Sequence, residues 1–235
     1  HAAPFERLVP VLGRGVRVIC LLRDGDAPGA LAGWLTERGF GPSRLIVLEA
    51  LGGPQERVRT ASAERFGLAG IAHPVAVAIE TAGAAGLPRA SGLPDDLFAH
   101  DGQITKRPVR ALTLSALAPR PGEVLWDLGA GSGSISVEWC LAAVGARALA
   151  VEARADRAAN IRRNAGTFGL SHRLTVTEGG WPAAVRDLPA PAAVFSGGGA
   201  DAAMGQVMCQ TRIDIKYGGQ MGVRLLARAD ESDGA

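Results

Sequence analysis

The stretch Val124-Leu125-Trp126-Asp127-Leu128-Gly129-Ala130-Gly131-Ser132-Gly133-Ser134-Ile135-Ser136-Val137-Glu138 decides the fold. An apolar run closes on the carboxylate of Asp127, passes through Gly129, Gly131 and Gly133 at alternate positions, and opens an amphipathic segment. That is the order of strand, tight turn and helix. Glycine serves such a corner because a residue without Cβ takes positive φ freely and lets a ligand lie against bare backbone. The N–H groups of the first helical turn then face whatever binds there.

Two features select among ligands. A dinucleotide fingerprint runs G-x-G-x-x-G/A, whereas here the third glycine comes one place early and Ser134 stands where helix and strand pack closely. A nicotinamide dinucleotide fits this poorly. Asp127 lies two residues before the first glycine. A carboxylate there favours a ligand carrying positive charge, as the sulfonium and α-amino group of S-adenosylmethionine do, over a pyrophosphate. The next apolar run, 146–151, ends at Glu152, 25 positions after Asp127 (152 − 127) and about one strand-helix-strand unit away. Glu152 suits a pair of ribose hydroxyls. The D-x-G-x-G-x-G order resembles motif I of the class I methyltransferases. The resemblance makes Asp127, Gly129, Ala130, Gly131, Ser132, Gly133, Ser134 and Glu152 the cofactor corner, with S-adenosylmethionine as cofactor.

Composition narrows the classes. A chain of 235 residues, 47% hydrophobic and 20% charged, has material for one large or two small globular domains. A net charge of +2 and 5% aromatic residues supply neither a basic arm nor a stacking platform, so nucleic acid is not the expected partner. Cys20, Cys140 and Cys209 are far apart and outside any C-x-x-C spacing. They point away from a disulfide framework or a metal site and toward a reducing cytoplasm. No apolar run reaches the ~18 residues of a membrane helix. The start, His1-Ala2-Ala3 without Met, reads as a fragment or tag remnant.

Before the glycine corner, strands are expected over 16–22, 44–49 and 75–80, with a helix over 27–38 whose Leu31, Trp34 and Leu35 share a face. A short helix is expected over 61–70. Between them, Leu51-Gly52-Gly53-Pro54-Gln55-Glu56-Arg57-Val58 resembles a segment late in the tetrapyrrole methylases of cobalamin biosynthesis. The other reading of that segment is an ordinary turn. Residues 81–93, rich in Gly, Pro and Ala without periodicity, read as a linker. The expected architecture is therefore α/β. The resemblances imply that residues 1–80 are a partial tetrapyrrole methylase domain and 94–235 a Rossmann-like class I S-adenosylmethionine-dependent methyltransferase domain.

Residues 94–110, with Pro94-Asp95-Asp96, Phe98-Ala99-His100-Asp101-Gly102-Gln103 and Thr105-Lys106-Arg107-Pro108-Val109-Arg110, precede an expected helix over 109–118. Joined to Trp126 through Ser134, this segment resembles the precorrin-6Y methyltransferases (decarboxylating). The resemblance runs from about 94 to 199 and more loosely over 11–80. It implies a carboxylate-rich precorrin substrate, methylation at carbon 15 with loss of the ring C acetate carboxylate by this domain, methylation at carbon 5 by the other, and a homo-oligomer.

Further roles follow from that likeness. Lys106, Arg107 and Arg110 are placed to clamp substrate carboxylates, arginine in bidentate fashion, or else form a solvated basic helix start. His100 and Thr105, with Lys106, are the candidates for proton handling at the reacting face. A helix over 154–168 and a strand over 174–178 lead to Gly180 and Trp181, which the fold places beside the adenine. A strand over 192–196 leads to Gly197, Gly198 and Gly199 at the substrate mouth. Trp126, inside a strand, reads as core.

The tail departs from the family plan. Strands over 211–216 and 223–227 suit a closing hairpin, but the 36 residues after Gly199 (235 − 199) leave little room for a strand-helix unit before it. A truncated chain, an internal deletion and an incomplete sequence all fit. Residues 1–80 carry no glycine loop of their own. The competing functions are another class I methyltransferase and a non-catalytic protein that binds cofactor or tetrapyrrole.

Overall fold

In the computed structural model, residues 3–180, 183–185 and 190–197 are described with their side chains, and 215–217 and 220–224 by their backbone. The chain divides into two units, His1–Leu87 and Pro88–Ala235.

The first unit is built on β1 (Arg17–Leu22), β2 (Arg44–Glu49), β3 (Arg57–Ser62) and β4 (Val75–Glu80), in the order β1-β4-β2-β3 with antiparallel neighbours throughout. Helix α1 (Ala27–Leu35) buries Leu31, Trp34 and Leu35 in one cluster with Leu45, Val47, Val77 and Ile79 of the sheet. The strand-helix-strand unit is present, but β4 lies between its two strands.

The helix expected over 61–70 is replaced by β3 and a short 3-10 turn at Ala63–Arg65. The cause is the buried carboxylate of Glu49. Alternate residues of a strand share a face, so Arg57 and Arg59 both reach it, at 2.7 Å each. The amide of Ala72 donates to it as well. The Arg57 guanidinium holds the Glu49 carboxyl down at about 2. Glu56 accepts the amide of Gly52 and closes the turn, so both charged residues of the L-G-G-P-Q-E-R segment hold local structure.

The two ends of 81–93 are each held by hydrogen bonds within their own unit. The Thr81 hydroxyl lies within hydrogen-bond reach of the carbonyls of Val16 and Gly13, which share its single proton. Gly86 sits so near Leu12 that a Cβ there would lie 2.3 Å from its carbonyl oxygen. At the other end, Gly92 and Leu93 donate their amides to Glu138 of the second unit.

The second unit begins with α2 (Arg107–Leu117), whose Arg110, Thr113, Leu114 and Leu117 bury at i, i+3, i+4 and i+7. There follow β5 (Val124–Leu128), α3 (Ser134–Ala142), β6 (Arg147–Glu152), α4 (Ala155–Thr167), β7 (Leu174–Glu178), β8 (Ala193–Ser196), β9 (Ile215–Tyr217) and β10 (Gln220–Arg224). The sheet order is β7-β6-β5-β8-β10-β9. The first four strands are parallel and the last two antiparallel. Strands β5 and β6 are buried on both faces, which is why they read as continuous apolar runs. Trp126 is core, as expected. An antiparallel pair closes the sheet, but β10 begins at Gln220, inside the expected turn, and pairs directly with β8; 211–214 and 225–227 of the expected strands lie outside the described residues.

The second unit is therefore an α/β fold whose parallel sheet is closed by an antiparallel pair, as the expected architecture requires. Among the described residues no helix is long and apolar enough to cross a membrane, and no cluster of His, Cys, Asp and Glu is fit to hold a metal. Cys20 and Cys140 are free thiols; Cys209 lies outside the described residues.

Candidate active site

Ligands of open parallel sheets bind at the carboxyl ends of the strands. Here β5 ends in Leu128 and runs into a loop whose three glycines all take left-handed backbone, with φ of 69° at Gly129, 60° at Gly131 and 72° at Gly133. Gly133 is the one the packing demands. A Cβ there would lie 2.7 Å from Cγ2 of Ile161 on α4, and alanine would carry the strained φ besides. The close approach expected at Ser134 thus falls one residue earlier. Ser134 begins α3 and is buried.

Two carboxylates flank this loop. Glu152, at the end of β6, accepts the amides of Gly131 (2.8 Å) and Arg154 (3.0 Å). Asp127 is completely buried and accepts both the amide and the hydroxyl of Ser136 on one oxygen, Oδ2, at 3.2 and 2.6 Å. Its other oxygen, Oδ1, is buried without a partner, as is the hydroxyl of Ser132 in the same loop. Burial pushes the Asp127 carboxyl up to about 6, and the negative charge of Glu152 adds to the rise, against the Ser136 bonds. An orphaned carboxylate oxygen beside a second acid, against bare left-handed backbone, fits a cationic ligand with hydroxyl groups. S-adenosylmethionine has both.

The segment 92–106 lies against this corner. The side-chain amide of Asn164, buried on α4, accepts the amide of Ala99 (2.7 Å) and donates to the carbonyls of Ala99 (3.0 Å) and Ser132 (2.8 Å). Asp101 pairs with Arg157 of α4 at 2.8 Å. A Cβ on Gly131 would stand 3.8 Å from the carbonyl oxygen of Gln103, an ordinary contact distance.

The substrate clamp expected of Arg110 is corrected by its burial. None of its side chain reaches solvent. Nε donates to Glu138 (2.5 Å), Nη2 to Asp95 (2.9 Å) and to the Leu93 carbonyl, and Nη1 to the Thr105 carbonyl. These bonds commit the guanidinium to holding 92–106 on α2 and α3. Lys106 and Arg107, at the start of α2, are exposed and open to an anion.

His100 is exposed and accepts the Gly102 amide at Nδ1 (3.0 Å), so the neutral ring carries its proton on Nε2. Thr105 is partly buried next to Lys106. Ala130 sits in the loop, its amide donating to Val151. Gly180 is exposed beyond the end of β7, while Trp181, Gly198 and Gly199 lie outside the described residues. Gly197 stands at the end of β8, but its close approach is to protein: a Cβ would lie 2.6 Å from the Gly129 carbonyl oxygen. The sequence reading missed Ser136, Glu138 and Asn164. Their signal was a polar residue on an otherwise apolar helical face, such as Asn164 beside Ala158, Ile161 and Ala165.

Residues 96–229 match the family described as the precorrin methyltransferase domain. The chain belongs to the precorrin methyltransferase family. It is 56% identical over 203 residues to a Sinorhizobium precorrin-6Y C(5,15)-methyltransferase [decarboxylating], covering 85% of this chain and 49% of that protein. A probable cobalt-precorrin-6B C(15)-methyltransferase (decarboxylating) of Pyrobaculum calidifontis is 40% identical over 111 residues, 46% of this chain and 57% of the relative. The crystal structure of the C-terminal domain of precorrin-6Y C5,15-methyltransferase from Rhodobacter capsulatus is 55% identical, with a TM-score of 0.51 over 55% of this chain and 68% of that one. The chain spans about half the length of the curated relatives it matches, 49% for the Sinorhizobium protein. Within this family, the glycine corner and the segment before it belong to the matched domain, except that 92–95 precede the match.

Proposed function

We propose that the second unit binds S-adenosylmethionine at the carboxyl ends of β5 and β6 and methylates a precorrin at carbon 15, with loss of the ring C acetate carboxylate. One observation carries the cofactor reading: a loop of three left-handed glycines between the buried acids Asp127 and Glu152. The substrate reading rests on the family and on relatives named for carbon 15 chemistry, similar over 111 residues or 46% of this chain. The first unit, from the likeness of its L-G-G-P-Q-E-R segment, is the late part of a tetrapyrrole methylase domain.

The residues divide the work. Asp127 supplies negative charge for a sulfonium or ammonium group, and Glu152 accepts ribose hydroxyls. The bound cofactor supplies an electrophilic methyl group for in-line displacement. Lys106 and Arg107 hold carboxylates of the macrocycle by charge-assisted hydrogen bonds. His100, with its Nε2 proton, and Thr105 deliver or accept protons at the reacting face. Loss of CO2 leaves an electron pair that the conjugated macrocycle accommodates until a proton replaces the carboxylate. No further cofactor enters that balance.

Calorimetry with S-adenosylhomocysteine tests the assignment. Wild type should bind, and Glu152→Ala should lose about 1.5–3 kcal/mol per hydrogen bond to the ribose, tenfold or more in affinity. Unchanged affinity would remove Glu152 from the site.

A further inference from the structure

We propose that Asn164 is a positioning residue that couples the cofactor corner to the entrance segment, so that filling the glycine loop stiffens residues 99–106 before substrate arrives. The proposal rests on reading the loop as a cofactor site.

The geometry lies on a single face of α4. Arg157, Ile161 and Asn164 stand at i, i+4 and i+7, so they share one stripe. Each meets a part of the site: Arg157 pairs with Asp101 in the entrance segment, Ile161 fills the space against Gly133, and Asn164 touches both structures. Among these only Asn164 bonds the loop and the segment with the same group. Its carboxamide is almost fully buried, and its NH2 serves the carbonyls of Ala99 and Ser132 together. Moving the Ser132 carbonyl therefore moves the donor on which Ala99 depends. A buried amide that loses one bond has no water to turn to, so the two contacts hold or fail together.

The consequence is directional. Ser132 lies between Gly131 and Gly133, and the segment held through Ala99 leads within seven residues (106 − 99) to Lys106. A cofactor that fixes the loop also fixes the face meant for the carboxylates. Cofactor binding then favours substrate binding, and the reverse holds by linkage.

Hydrogen–deuterium exchange on the full chain, with and without S-adenosylhomocysteine, tests the coupling. In wild type the ligand should slow exchange both in the glycine loop and across 99–106, by about fivefold or more in the latter. In Asn164→Ala the slowing in the loop should persist while the effect on 99–106 disappears. Asn164→Asp keeps the acceptor for the Ala99 amide and loses both donated bonds, so it should show the same loss and serves if the alanine variant does not fold. A merely structural role would raise exchange of 99–106 equally with and without ligand and leave their ratio unchanged, which would overturn the proposal. So would a wild type whose protection stops at the loop. A wild type that binds no S-adenosylhomocysteine by calorimetry would instead remove the cofactor reading, and the coupling with it.

Discussion

Arg110 and Glu138 form an ion pair out of reach of water, Nε to Oε1 at 2.5 Å, on two helices 28 residues apart. Glu138 also takes the amides of Gly92 and Leu93. A buried pair contributes little net stability against an apolar substitute, but losing one partner strands a charge. Arg110→Met or Glu138→Gln should therefore cost about 3–5 kcal/mol in urea unfolding. Lys106→Ala, at the surface four positions earlier, should stay within about 0.5 kcal/mol. Equal, small losses at all three positions would contradict the role given to Arg110.

Gly133→Ala should destabilise the second unit by about 1–3 kcal/mol through overpacking against Ile161, with the left-handed φ adding about 1–2 kcal/mol. Ile161→Ala in the same chain removes the clash but not the backbone strain. A double-mutant cycle should give a coupling of about 1 kcal/mol or more between the two positions, and simple additivity would mean that the contact is relieved elsewhere.

The residues of the candidate site that the sequence itself brings together are those whose partners are near in the chain. Asp127, the glycines and Glu152 fall within one strand-turn-helix-strand run, where periodicity and a missing Cβ carry the information. Arg110 was misread because its helix start resembles a basic clamp, and the residue that changes its meaning, Glu138, comes into contact only through tertiary packing. Asn164 and Ala99 lie 65 residues apart, and no local pattern links them. The same limit explains β3: the strand exists because Glu49 draws Arg57 and Arg59 to one face, a pairing that propensity does not encode.

Asp127 makes the site sensitive to pH. Its folded carboxyl titrates at about 6, raised from an ordinary 3.8 chiefly by burial. Between those values the native state holds a proton that the unfolded chain has released, so stability falls as pH rises through that window, by up to about 3 kcal/mol. Asp127→Asn should flatten the fall when unfolding is followed from pH 4 to 7. A cationic ligand favours the carboxylate, so cofactor affinity should drop as pH falls below about 6, with protons released on binding near that pH. Identical profiles for wild type and Asp127→Asn would assign the titration to another group.

Lys106 and Arg107 are exposed cations at the start of α2. Replacing both with glutamine should weaken tetrapyrrole binding, with the deficit shrinking as salt rises, and leave S-adenosylhomocysteine affinity unchanged. Loss of both ligands together would place these residues at the cofactor or in the folding of the unit.

This chain should carry one methylation site, in its second unit, matched to carbon 15 chemistry. Incubating the chain with precorrin-6Y and methyl-labelled S-adenosylmethionine, then weighing the macrocycle by mass spectrometry and trapping CO2, tests it most directly. Each macrocycle should gain one methyl group and lose one CO2. Two methyl groups would contradict it by revealing a working site in the first unit, and an unchanged macrocycle with cofactor bound would leave a binding protein in place of the enzyme.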